Sequence, residues 1–283
     1  MPLGALALLF GSAILHTAWN LLLKQAGEKY MATWWGMFMG SLLFLPALFF
    51  IGLPVRSTWL LLFISALAEA AYFIVLSFAY SDADFSLVYP MARGSAPALI
   101  AVWSVLFLHE TLTHAGIFGL VVIIVGLMIV GSSSWFQADG KPRLRGVWPA
   151  LMVAVLISIY SAIDGAAVKR TSTFSYAALI YFVSSAYMTP FILRRHGWQE
   201  LKEEFVAYHW RLLGVGALIV VAYLMALGAY RLASVSYSGA IREVGVVMGA
   251  IAGWRFLGEK FGPVRVIGAV VIFAGILVIA FFG

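Results

Sequence analysis

Two arginines, Arg93 and Arg242, interrupt long apolar runs, and so do Glu69, Asp164 and Glu243. An ionisable side chain in hydrocarbon costs about 2.5–3.5 kcal/mol on insertion scales, so each is a functional candidate by default. A guanidinium stays charged in almost any surroundings and can grip a carboxylate or phosphate through two parallel hydrogen bonds. Arg93 and Arg242 are therefore candidate contacts for an anionic group on a small substrate. The competing role is pairing with Glu69, Glu243 or Asp164 to fix helix packing. Glu69 lies mid-run in Ala-Leu-Ala-Glu-Ala-Ala-Tyr. Desolvation penalises its charged form, so it can exchange protons or hold a substrate amine. Permanent counter-ion to Arg93 is its other reading. Glu243 and Asp164 complete the proton-coupling candidates, although an interfacial place for Asp164 fits equally well. Adjacent helical residues point about 100° apart, so Arg242 and Glu243 cannot both aim at one small ligand. His16, Trp19, Asn20, Tyr72 and Tyr89 are the companions expected at a substrate-binding site. Trp103, Tyr160, Tyr223 and Tyr237 could also line a cavity.

The elements that position these residues are membrane-spanning helices. Of 283 residues, 63% are hydrophobic and 11% charged, with mean hydropathy +1.00. Soluble domains are roughly 45–50% apolar and about 25% charged, so so few charges could not cover such a surface in water. A helix needs about 20 mostly apolar residues to cross the hydrocarbon. Ten such runs are expected, near 3–23, 32–52, 59–79, 86–107, 115–131, 147–168, 174–193, 211–230, 237–257 and 264–282. They are continuously apolar, which excludes the alternating pattern of a barrel. The first run follows no cationic segment and precedes no small-residue cleavage pattern, so it reads as a retained span. The connections are short, the longest around Gly131–Gly146 and Arg194–Arg211, and none could hold a soluble domain.

The chain repeats itself. A shift of 149 residues places Arg93 on Arg242, Glu110 on Glu259, Gly119 on Gly268 and Gly126 on Gly275. The predicted units are a five-helix repeat over 1–134, a connecting loop at 135–145 and a second repeat over 146–283. An odd number of spans per unit forces the two to enter the membrane from opposite sides. That inverted-repeat architecture puts a substrate site near the midplane, and exchange of conformations between the units gives alternating access. Pro90, Gly94 and Pro97 in the fourth span and Gly239, Gly245 and Gly249 in the ninth are expected to break those helices and act as hinges, because interrupted helices at matching positions mark such sites. Arg56, Lys169, Arg170 and Arg231 fall on one face, Arg93 and Arg242 lie within spans, and the remaining Lys and Arg fall on the other face. The richer face is then cytoplasmic and both termini lie outside.

The stretch Val88-Tyr-Pro-Met-Ala-Arg-Gly-Ser-Ala-Pro97, then Leu106-Phe-Leu-His-Glu-Thr-Leu112 with Gly119 and Gly126, resembles the EamA family of the drug/metabolite transporter superfamily. Phe256-Leu-Gly-Glu259 with Gly268 and Gly275 resembles a second copy, although Gly239 and Val246 stand where the first has Pro90 and Pro97. The resemblance implies an all-α integral membrane protein, multi-pass in a bacterial inner membrane. It implies a secondary transporter or exporter of a small polar metabolite, anionic or zwitterionic by the arginines, with protons as candidate coupling ion. A channel and a membrane enzyme acting on lipid-linked substrates are the alternatives. Mid-span charges that form no ring along a pore speak against the first, and charges away from an interface against the second. Lipid and the substrate are the expected partners, with no nucleic acid, and a working monomer is plausible.

No catalytic residue, metal site or cofactor is predicted. Cys is absent, which excludes thiolate chemistry. His109-Glu110 lacks a second histidine at 113, which is Thr113, so a zinc pair would not share a helix face. Gly214-Val-Gly216 lacks a third glycine, and no phosphate-binding loop occurs, which argues against ATP-driven transport.

Overall fold

Lipid offers the backbone no hydrogen-bond partners, so an apolar chain there must close its bonds within each segment. The computed structural model follows this rule. It describes residues 1–24, 28–82, 85–132, 147–248, 251 and 263–283, and these contain helices, turns and no strand. Helix α1 is Leu3–Lys24 and α2 is Lys29–Phe44, which runs on through a 3₁₀ turn to Ile51. Next come α3 (Trp59–Asp82), α4 (Phe85–Leu108), α5 (His114–Ser132) and α6 (Val147–Val168). Then follow α7 (Thr173–Leu232), α8 (Val235–Arg242) and α9 (Pro263–Phe282).

Helix ends carry their own signals. The Glu28 carboxylate accepts from the Tyr30 and Met31 amides at 2.7 and 3.1 Å and starts α2. Gly52, at φ +88°, stops its extension. The 60 residues of α7 would reach about 90 Å as one straight helix, three bilayer cores in length. Two non-helical residues divide it, Gly197 at φ +73° and Tyr208. Only glycine adopts the first value without strain.

Among the described residues, helices long and apolar enough to cross a membrane cover Leu3–Leu23, Tyr30–Ile51, Arg56–Leu76, Trp148–Val168 and Thr173–Leu232. Shorter apolar helices run over Ser95–Leu108, His114–Val130 and Val266–Phe282. Their outer surfaces match lipid: Phe49 and Phe50 are each 92% exposed.

Helices from before the 133–146 connection pack chiefly on helices from after it. Helix α5 lies on α9, α1 and α2 lie on α7, and α3 and α4 lie on α6. Close approach depends on glycine. A Cβ on Gly216 would fall 2.6 Å from the Gly40 amide nitrogen. On α5 and α9, a Cβ on Gly119 would meet the Gly275 carbonyl at 3.0 Å, and one on Gly126 the Gly268 carbonyl at 3.0 Å. The order of these contacts makes the two helices antiparallel.

The fourth span differs from expectation. Helix α4 is continuous from Phe85 to Leu108, through Pro90, Gly94 and Pro97. Membrane helices tolerate such residues where neighbouring groups satisfy the freed backbone. The ninth does break, but at Glu243, a turn residue between α8 and a helical stretch at 244–248. Gly239 lies inside α8 and Gly245 inside that stretch, so neither is the break. Gly249 and Glu259 lie outside the described residues.

The glycine contacts have a measurable consequence. Gly40→Ala and Gly126→Ala should each cost about 1–3 kcal/mol through overpacking, seen as a lower melting temperature in detergent. Gly214→Ala, whose added methyl meets open space, should leave that temperature unchanged.

Candidate functional site

The buried charges converge inside the bundle. One cavity, about 40 Å³ of water-accessible volume, is lined by His16, Glu69, Tyr72, Arg93, Tyr223 and Arg242 among others. That is room for a few waters. Helix α1 supplies His16, α3 Glu69, α4 Arg93, α7 Tyr223 and α8 Arg242, so both halves of the chain build the wall.

The arginines occupy equivalent places in the repeat but have different partners. Arg93 Nη1 lies 2.9 Å from Glu243 Oε1, with both side chains buried. Its Nη2 lies 3.0 Å from His16 Nε2. A guanidinium can only donate, so that nitrogen accepts and the His16 proton sits on Nδ1. His16 in turn packs edge-on against Trp19 at 4.7 Å. Arg93 thus joins α4 to α1 and to the turn after α8. Arg242 donates to the Tyr230 hydroxyl at 3.2 Å, and its Cζ lies 5.9 Å from the centre of the Tyr223 ring. No carboxylate lies within ion-pair distance of it among the described residues. The shift of 149 accounts for the difference: the residue matching Glu243 in the first half is Gly94, which has no side chain.

Glu69 is buried and accepts from the Ser184 hydroxyl at 2.9 Å. It too has no cation within ion-pair distance among the described residues, so it is not the counter-ion of Arg93. The second oxygen of Glu243, Oε2, is buried without a hydrogen-bond partner among those residues. Asp164 is fully buried within the protein. It accepts from Ser65, from Tyr176 at 2.6 Å and from Tyr223.

The expected site residues divide clearly. His16, Trp19, Glu69, Tyr72, Arg93 and Arg242 line the cavity. Asn20 does not; its amide donates to the His16 carbonyl one turn back, at 2.7 Å. The side chain of Tyr89 lies outside the described residues. Trp103 bonds to Ser158 at 2.9 Å, and Tyr237 accepts from the Thr113 amide at 2.9 Å, both away from the cavity. Sequence reasoning passed over Tyr181 and Ser12, which also line it. Their only signal was helical spacing from Ser184 and His16.

Glu110 acts elsewhere. Its carboxylate accepts from the Val235 amide at 2.6 Å, from the Ser236 amide at 3.2 Å and from the Ser236 hydroxyl at 2.8 Å, capping α8. Lys169 approaches the same carboxylate at 3.6 Å. Nearby, Thr171 accepts from the Val55 amide and its carbonyl from Arg231, and Ser175 donates to the Gly52 carbonyl. These bonds tie together the connections that carry Arg56, Lys169, Arg170 and Arg231.

An all-helical, multi-pass membrane protein with charged groups around an interior cavity is the class that this fold and site define. The chain belongs to the EamA-like transporter family, whose sequence model matches residues 3–132 and 144–281. It is similar to the multidrug resistance protein EbrB of Bacillus subtilis (strain 168), with 33% identity over 69 residues, 24% of this chain. That stretch spans 59% of the relative's length. A solved crystal structure shares the fold, with TM-score 0.79 over 99% of each chain at 17% identity.

The unequal pairing of the arginines gives a direct test. Arg93→Ala strands Glu243 as a buried, unpaired charge and should cost about 3–5 kcal/mol. Adding Glu243→Gln should recover part of that loss. Arg242→Ala removes no ion pair and should lower the melting temperature far less than Arg93→Ala.

Proposed function

We propose that the protein is a secondary carrier of a small metabolite bearing an acidic group, zwitterionic or anionic, and that it works by alternating access. One observation carries this reading: Arg242 faces the cavity with only tyrosines as partners among the described residues. A desolvated charge without a counter-charge is costly. A substrate carboxylate or phosphate would supply one. Glu69 lines the same cavity, also without a cation within ion-pair distance among the described residues. A zwitterion would satisfy both, its acidic group on Arg242 and its amine on Glu69. Between substrates, a proton on Glu69 would neutralise that charge, which makes it the coupling candidate ahead of Asp164 and Glu243.

Ten crossings arranged as two inverted units fit this mechanism. Support comes from the reciprocal contacts of Gly119 with Gly275 and of Gly126 with Gly268. Because 119 matches 268 and 126 matches 275, the contacts are those expected when a two-fold axis relates α5 and α9. The bonds around Glu110 and Thr171 support a state closed on the face with the termini. A bacterial inner membrane with that face outside, and a monomeric working unit, complete the proposal.

A cation carrier is the second reading. It draws on Glu69 with the aromatic wall of Trp19, Tyr72, Tyr160, Tyr181 and Tyr223, which suits a positive ligand, and on the likeness to a multidrug resistance protein.

A thermal-shift screen of purified protein against zwitterionic, carboxylate, phosphorylated and cationic metabolites separates the two, because ligand bound to the native state raises its stability. Acidic or zwitterionic compounds should stabilise the wild type and lose that effect in folded Arg242→Ala. Stabilisation by cations alone, unchanged in that variant, overturns the acidic-group reading. In proteoliposomes the stabilising compound should show saturable counterflow, whereas single-channel currents would indicate a pore. Glu69→Gln should abolish stimulation by a pH gradient while counterflow persists.

A further inference from the structure

Asp164 lies beyond the cavity wall, yet its carboxylate is fully buried. Among the described residues no Lys, Arg or His lies within ion-pair distance. Three hydroxyls hold it instead, from Ser65 on α3 and from Tyr176 and Tyr223 on either side of the break in α7. A buried carboxylate held only by neutral donors is an expensive feature, and packing alone would not need it.

Tyr223 connects it to the site. Its hydroxyl donates to Asp164, and its ring stands 5.9 Å from Arg242 Cζ. That is within the range in which a ring face attracts a guanidinium. A phenol that donates to a carboxylate has one ring orientation, and the bond pushes electron density into the ring. Both effects favour a cation above it. The Tyr230 hydroxyl holds the same guanidinium from another direction, at 3.2 Å. Together the two tyrosines fix Arg242 without neutralising it.

We infer that Asp164 is a positioning residue for the substrate site: through Tyr223 it orients Arg242, leaving the guanidinium available to an acidic group in the cavity. Asp164 touches no substrate. It acts one tyrosine away, near enough to place the arginine and too far to occupy its donors. The affinity consequence rests on the carrier reading above, but the positioning itself does not.

The test uses the full chain in detergent, with the Arg242 Nε–H signal followed by NMR and benzoate as an aromatic carboxylate probe. Tyr223→Phe removes only the hydroxyl, and Asp164→Asn keeps an acceptor, so both should fold. Each should shift the Arg242 signal, and the double variant should shift it no further, as for residues acting in series. Ser65→Ala, which removes a different hydroxyl from Asp164, should leave the signal in place. Benzoate should bind each variant about tenfold more weakly than wild type, again without additivity, a coupling of the size found between contacting residues. An Arg242 signal that ignores Asp164→Asn, or additive shifts, overturns the inference. If the shifts appear as expected but benzoate fails to bind even the wild type, the positioning stands and the acidic-group reading falls.

Discussion

The ion pair between Arg93 and Glu243 sets the chemistry of the interior around it. Removed from water, each of these charges would be prohibitive alone, and together they are tolerable because they meet at 2.9 Å with His16 accepting a further guanidinium proton. The pair joins α4 to the break after α8 and pins α1 through His16. It also consumes the carboxylate nearest Arg242 in sequence. What remains is one guanidinium held by aromatic rings and hydroxyls, opening onto a cavity that Glu69 enters from another helix. One arginine is paired with a carboxylate and the other, among the described residues, meets only tyrosines. The position matching Glu243 in the first half, occupied by glycine, decides which arginine is which.

Around this centre the chain interleaves its two halves. The most extensive helix contacts join helices from opposite halves of the chain: α5 with α9, α2 and α1 with α7, and α3 and α4 with α6. Lipid contributes no hydrophobic drive to bring helices together, so contact depends on van der Waals fit and small residues. Gly40 with Gly216, and the four glycines of α5 and α9, let backbones approach to distances that any side chain would block. At the end that carries the termini, Glu110 caps α8 and Thr171 receives Val55 and Arg231.

The apolar, helical, membrane-embedded character of the chain and the residues too polar for lipid were legible in the sequence, because hydrocarbon penalises charge and unbonded backbone more sharply than any soluble core does. The family's signature around Arg93 and the glycine spacing of α5 and α9 were legible for related reasons, since both recur after 149 residues. Partnership was not. Nothing local distinguishes Arg93 from Arg242, and only folding shows that the first meets Glu243 and the second meets tyrosines. Asn20 read as a site residue, yet a carbonyl one turn away captured it. Pro90 and Pro97 read as a break, yet α4 runs through them, and the break falls at Glu243, where no glycine or proline stands. Asp164 had no visible partner in the sequence; the fold encloses it among hydroxyls from Ser65, Tyr176 and Tyr223. Sequence determined which groups must be hidden from lipid, since that penalty belongs to each residue by itself. Tertiary structure decided which hidden charges satisfy one another and which face the cavity without a counter-charge among the described residues, since pairing is a matter of a few ångströms between segments far apart in the chain.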